Sequence, residues 1–394
     1  SSNTVTVNDA FVNQSDDGQV SVAVTDATSG STDNPVTVDA AVSEGNVVVL
    51  NGVDQDGTGP ATYTSPGFEL NDGTDNRVTL ADDPDGDGNS GDGETGVTLN
   101  EGSGNDIITG GASNDTVISG SGSDLDGDTI ELGGGSDVVD VDMSGADVNS
   151  GTTIDAETIE VETTSSNSVF DATDVTGNSD FDYDADTGSY NLDITNLAAS
   201  SGVTVSHDMG STTLTLTQQD VSGTSDSLDL EFTNSVSTSS LAVTQADLET
   251  LNLTVNTSGS VDLSGSSSDI QANTIDVASG DSDSSSLTLG TLTSEVSEVN
   301  AADFNDSLTV TSADNTDQTI IGGSADDVIT MTDAGDALSA GEDSADASTA
   351  SNGDTLNLDE GGLLTTQTAI VDLTNDDQIS EFVGSDNSGT NQSG

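Results

Sequence analysis

The 394-residue chain carries 73 acidic side chains against one Arg, Arg77, and no Lys, for a formal net charge of −72; 30% of its residues are hydrophobic and 3% aromatic. Nothing in it can neutralise a phosphate backbone, which excludes nucleic acid as a partner; an anionic membrane surface repels it, and no apolar run approaches the roughly 20 residues that span a bilayer. Without Cys, neither disulfides nor thiolate chemistry can reinforce a thin core. Composition alone also fits a disordered chain, but the periodic patterning below argues for a fold. The opening Ser1-Ser2 fits a processed or excerpted segment.

Residues 1–80 hold short apolar runs at Val5 to Val7, Val20 to Val24, Val36 to Val38 and Val47-Val48-Val49-Leu50 with no common period. They predict a small antiparallel β domain.

A second region, 81–145, is rich in Asp and Gly. Its first part, Asp83-Pro-Asp85-Gly-Asp87-Gly88-Asn89-Ser-Gly91-Asp92-Gly-Glu94, fits D-x-D-x-D-G-x5-E over twelve residues. Oxygens of Asp83, Asp85, Asp87, Asn89 and bidentate Glu94 suit one calcium ion, with Gly88 at the sharp turn, although the usual flanking helices are missing. Nine-residue units follow. Glu101-Gly102-Ser-Gly104-Asn-Asp106-Ile-Ile108-Thr and Gly110-Gly111-Ala-Ser113-Asn-Asp115-Thr-Val117-Ile fit G-G-x-G-x-D-x-U-x with one or two substitutions each. A third unit holds Gly120, Gly122 and Asp124 and is interrupted by about four residues before Asp128-Thr-Ile130, and a fourth runs Leu132-Gly133-Gly-Gly135-Ser-Asp137-Val-Val139-Asp140. The spacing has a chemical reason. Glycines permit a tight turn with inward carbonyls, the Asp supplies a hard oxygen, and the apolar eighth residue fills a parallel β-roll. Stacked aspartates repel until a divalent cation sits between them, and calcium is the natural occupant.

These units resemble the haemolysin-type, or RTX, calcium-binding repeat of exported bacterial proteins. The resemblance implies Ca2+ as cofactor and a parallel β-roll. A degenerate copy recurs at Gly322-Gly323-Ser-Ala-Asp326-Asp327-Val-Ile329-Thr, with Gly323 and Asp327 as candidate ligands, and Asn352-Gly353-Asp354-Thr-Leu356-Asn-Leu358 resembles another remnant.

Between 146 and 360 the pattern changes to paired short strands. Leu251-Asn-Leu253, Ile275-Asp-Val277 and Val299-Asn-Ala301 recur at an even spacing, with related runs at Leu228 and Val203 upstream and Ile320 downstream. Most units carry a second run, such as Leu287 and Leu289 or Leu308 and Val310. Two strands in each such period is the spacing of a β-solenoid coil, although strand spacing leaves a β-sandwich array open. Leu251, Ile275 and Val299 are expected to point inward and Asn252, Asp276 and Asn300 outward. The last segment, 361–394, reads as a strand followed by an acidic polar tail that frays or is ordered by a neighbouring molecule. The predicted class is all-β: a calcium-binding β-roll and a solenoid of about 24 residues per coil, with the small N-terminal β domain.

His207 is the lone His, so neither an H-E-x-x-H metal site nor a proton-shuttling pair exists. Carboxylates alone suit a glycosidase pair by chance, but acidic sugars want a basic partner, and no enzyme is expected. Phrases such as Asp247-Leu-Glu249-Thr-Leu251-Asn-Leu253 and Ala156-Glu157-Thr-Ile159-Glu-Val161 are similar in style to calcium-dependent bacterial surface-layer proteins. That resemblance implies a secreted, extracellular or cell-surface subunit whose partners are copies of itself bridged by calcium, with a cell-surface polysaccharide as a further candidate. Rival readings are a calcium-stabilised adhesin stalk or binding module, a polysaccharide-active solenoid enzyme, and acidity as plain adaptation to salt.

Overall fold

The computed structural model describes residues 95–332, apart from 144, 178, 185–189, 211, 266–267, 281–284 and 314–315, together with separate strands between 4 and 80 and between 337 and 393. All regular structure among these residues is β, and no helix is long and apolar enough to cross a membrane. The loop that carries Asp83, Asp85, Asp87, Asn89 and Glu94 lies outside the described residues.

The chain forms two compact units, 1–186 with 195–200, and 187–194 with 201–394. In the first unit successive strands alternate between two parallel sheets as far as Thr158–Glu162. One sheet holds strands Thr4–Thr6, Val36–Asp39, Phe68–Leu70, Thr95–Asn100, Asn114–Ser119, Val138–Asp142, Thr158–Glu162 and Asp180–Tyr183. The other holds Gln19–Asp26, Val47–Asp54, Arg77–Leu80, Ile107–Thr109, Thr129–Glu131, Thr153–Asp155 and Val175–Thr176. This is a parallel β-solenoid. The expected antiparallel N-terminal pairing is therefore corrected: Val38 lies beside Leu70 and Val48 beside Val78, both in parallel ladders. Apolar residues at every second position supply the core; Val38, Val48, Leu70, Val78, Leu99, Ile108, Ile130, Val139 and Ile159 are all buried.

The nine-residue units set the shortest coil. Leu99 pairs with Val117, two such units on, whereas Val117 pairs with Val139 and Ile108 with Ile130, each two units and an insertion apart. The interruption in the third unit makes the difference. It folds into turns closed by Asp124 N–H to Ser121 O at 2.8 Å and Asp128 N–H to Leu125 O at 3.0 Å, with Leu125 anchored in the core.

The second unit repeats the plan. Leu228, Leu251, Ile275, Val299 and Ile320 stand in one parallel register and are buried, as expected from their regular spacing. The outward residues between them also pair: Asn252 Nδ2 donates to Asp229 Oδ1 at 2.6 Å and Asn300 Nδ2 to Asp276 Oδ1 at 2.9 Å. A second parallel sheet holds strands from Ser260–Asp262 through Ile379–Ser385. The expected frayed tail is corrected, since Ile379–Ser385 pairs in parallel with Asp354–Leu358 and antiparallel with Asn391–Ser393.

One device recurs in both units. A buried polar residue stands two positions before the first inward apolar residue of many strands: Asn76 before Val78, Thr152 before Ile154, Ser179 before Phe181, Ser201 before Val203, Gln318 before Ile320. Its side chain bonds the backbone of a neighbouring coil, as Thr152 Oγ1 does to Leu125 O at 2.8 Å and Ser179 Oγ to Ala156 O at 2.6 Å. Backbone groups at the turns lie outside the ladder and need such partners.

Candidate metal centre

In the nonapeptide region this capping position is acidic. Asp106, Asp115, Asp128 and Asp137 are each at most 1% exposed. They form two columns, one ahead of each sheet. In the first, Asp106 Oδ1 accepts Asn76 N–H at 2.7 Å and Asn76 Nδ2 at 3.1 Å, and Asp128 Oδ1 accepts Asp106 N–H at 2.7 Å. In the second, Asp115 Oδ1 accepts Val97 N–H and Asp137 Oδ1 accepts Asp115 N–H, both at 2.7 Å. Asp137 N–H in turn donates to Glu157 Oε2 at 2.8 Å. Each carboxylate thus caps the amide one coil before it.

One oxygen of each aspartate is committed in this way, and the second oxygens of Asp106, Asp128 and Asp137 are buried without a hydrogen-bond partner. Both oxygens of Glu101 are also buried without one. Glu101, Asp106 and Asp128 each place a carboxylate oxygen within 4.8 Å of the other two. Burial pushes Asp106 up to about 6 against the pull of the Asn76 amide and side chain, and it pushes Asp137 up to about 6, with Glu157 adding repulsion. Glu101 and Asp128 are raised above the usual carboxylate range by burial as well. Buried anions of one sign with open lone pairs are unfavourable unless neutralised. Hard oxygen donors without nitrogen or sulfur suit calcium, which takes 6 to 8 oxygens, so these residues fit that ion. The motif aspartates Asp106 and Asp128 would hold it; when bound it supplies charge neutralisation and a cross-link between coils.

The predicted glycines fall in the turns. Gly102 is buried and Gly104, with φ 153°, is half-buried between Glu101 and Asp106. Gly111 O accepts Gly134 N–H at 2.7 Å, and Gly133, with φ +94°, packs so closely on it that a Cβ there would lie 2.5 Å from the carbonyl. Gly135 shows the same crowding against Ser113 O, at 2.6 Å. Gly120 is exposed at the start of the third turn, Gly122 is buried against Ala146, and Asp124 is half-buried close enough to Asp128 to raise it. The remnant in the second unit is built differently: Asp327 is buried, but Oδ1 accepts Leu308 N–H and Oδ2 accepts Gly323 N–H, both at 2.8 Å. Both its oxygens cap backbone.

Residues 102–126 match the family model described as "RTX calcium-binding nonapeptide repeat (4 copies)". This segment carries RTX repeats. That repeat family binds Ca2+, which agrees with the carboxylate columns. No curated protein and no solved structure matches the chain. The RTX match ends before Asp128 and Asp137, although both continue its columns. Sequence reasoning misses three residues of the site: Asn76, Glu101 and Glu157. Asn76 and Glu157 carry a readable signal, a polar residue two places before an inward Val78 or Ile159.

Proposed function

We propose that the protein is a secreted, calcium-dependent structural subunit that assembles with copies of itself into a surface layer or extracellular filament. The observation that carries this reading is a row of like charges on the outward side of the first unit. Asp140, Glu160 and Asp182 stand in register on adjacent strands, about 4.8 Å apart by strand spacing. Burial and neighbouring carboxylates hold Asp140 and Glu160 above their ordinary range. Such a row is repulsive within the chain and repels a second copy of charge −72. Monovalent salt only screens it beyond about 8 Å, whereas a divalent ion bridges. A solenoid also presents strand edges for end-to-end growth, and cell-surface polysaccharide is the anchoring partner that suits an exported layer.

Catalysis has little support. A cleft of about 520 Å³ in the second unit is lined by Asp247, Glu249, Asn273 and Glu295 among others, without a basic residue, and Glu249 Oε2 is committed to Asp226 N–H at 2.9 Å. The test is a calcium titration of chelated protein, followed by circular dichroism, melting temperature, light scattering and electron microscopy. Calcium at millimolar levels should raise β signal and melting temperature together and then give an ordered polymer that chelation dissolves. Potassium chloride of equal ionic strength acting as well as calcium would favour salt adaptation; monomers at every calcium level, with the internal sites filled, would reject the lattice and favour an adhesin stalk.

A further inference from the structure

Glu101 stands where the core is otherwise closed. Glu69 pairs with Asn100 and Asn100 with Ile118, so the next residues, Leu70, Glu101 and Ser119, are successive rungs at one inward position, and Val141 pairs with Ser119 a coil further on. Leu70 and Val141 are at most 1% exposed, and Glu101 is 6% exposed. An ionisable side chain therefore occupies a position that Leu70 fills one coil before it, Ser119 one coil after it and Val141 two coils after it. The nonapeptide pattern does not ask for it, because Glu101 takes the place of the first glycine of its unit.

Among the described residues no basic side chain neutralises this group. Ser119, beside it, is the one donor that pulls its carboxyl down against burial, but its Oγ is given to Ser121 O at 2.9 Å, and neither Glu101 oxygen receives a well-formed hydrogen bond. The single Arg, Arg77, alternates with the buried Asn76 and Val78 and so faces outward from its strand. The Glu101 carboxylate instead approaches Asp106 and Asp128, within 4.8 Å. Three carboxylates closed off from water call for a cation from solution, and an all-oxygen donor set calls for a hard divalent one.

We propose that Glu101, Asp106 and Asp128 form an internal divalent-cation centre, with the Glu101 side chain as a ligand that the nonapeptide pattern does not call for and the ion filling the space that Leu70 and Val141 fill elsewhere. The inference rests on the calcium reading of the repeats but not on assembly. It makes this site drier than the turn sites, since the ion enters the core rather than the rim.

The test uses the full chain with calcium alone and with terbium as a luminescent stand-in. Glu101→Leu should lower bound calcium by about one ion in calorimetry, raise the melting temperature in chelator and shrink the rise that calcium gives. Glu101→Gln, nearly isosteric, should also lose the ion without the gain in chelator. Terbium lifetimes in light and heavy water should reveal a class of ions with few bound waters in the parent, absent from both variants. Unchanged stoichiometry and an unchanged dry class in both variants would overturn the centre and leave Glu101 as a buried protonated acid. Absence of calcium binding by the parent would overturn the calcium reading beneath it, a distinct result.

Discussion

Glu157 Oε2 accepts the main-chain N–H of Asp137 at 2.8 Å. The Glu of a Glu-Thr-Ile strand thus does for Asp137 what Asp137 does for Asp115. In the second unit Glu249 caps Asp226 in the same way. The calcium repeats and the plainer coils therefore share one capping device, and what distinguishes the repeats is that Asp106, Asp128 and Asp137 are buried caps whose second oxygen is left open. Glu157→Ala should leave the Asp137 amide without its acceptor and cost about 1 kcal/mol, the low end for a lost partner because Glu157 is exposed and water can replace it. Glu157→Gln keeps an acceptor and should cost less. Urea unfolding in calcium compares the two, and equal losses would show that the contact contributes through charge alone.

Acid should act in opposite directions with and without calcium. Asp106 and Asp137 are raised from 3.8 to about 6, so the folded, chelated protein takes up protons at higher pH than the unfolded chain does. The resulting stabilisation is fully present below about 4 and is lost as pH rises through about 6. Melting temperature in chelator should therefore rise as pH falls from about 7 to about 5, while in calcium it should fall, because protons compete for the ligands. The Asp106→Asn, Asp137→Asn double variant should show a shallower slope in chelator. A slope equal to the parent's would assign the effect to Glu101 and Asp128, which burial raises as well, or to relief of overall charge.

The inward and outward rungs of the second unit should differ sharply in tolerance. Ile275 is fully buried between Leu251 and Val299, so Ile275→Asp places an unpaired charge in an apolar ladder and should cost more than about 3 kcal/mol. Asp276→Asn keeps an oxygen for Asn300 Nδ2 and should stay within about 0.5 kcal/mol. Denaturant midpoints measure both, and similar losses would contradict the register.

Neutralising the outward row should separate folding from association. Asp140→Asn, Glu160→Gln and Asp182→Asn together remove stacked like charge and should raise stability slightly in chelator. If the row bridges subunits through calcium, the same variant should need more calcium to scatter light, with its internal ion count intact by calorimetry. Scattering at the parent's calcium concentration would place the bridging elsewhere.

How much of the fold is legible in the sequence depends on coil length. Leu251, Ile275 and Val299 can be placed from sequence because their coils are equal, so period and register coincide. The N-terminal strands show no period because their coils are long and unequal, as the pairings of Val38 with Leu70 and of Val20 with Val48 show. Short strands at unequal spacing do not reveal whether they pair in parallel, and the antiparallel expectation fails there. The calcium aspartates are readable because turn glycines and an apolar eighth residue bracket them. Glu101 reads in the sequence as a mere substitution of the motif, since only the register with Leu70 shows that its position is a core rung.

The caps also bear on how such a chain can change length. Among the described residues, many coils satisfy backbone groups of a neighbour through a residue two places before the first inward side chain: Asp, Glu and Asn accept from its amides, whereas Ser, Thr and Gln donate to its carbonyls. A duplicated or deleted whole coil therefore meets neighbours that accept it, because each cap bonds main-chain groups, which every coil presents whatever its side chains. Loss of half a coil would instead send strands to the wrong sheet. Unequal recombination between repeats is then a tolerated route to longer and shorter forms, with the acidic caps deciding how many ions each form carries.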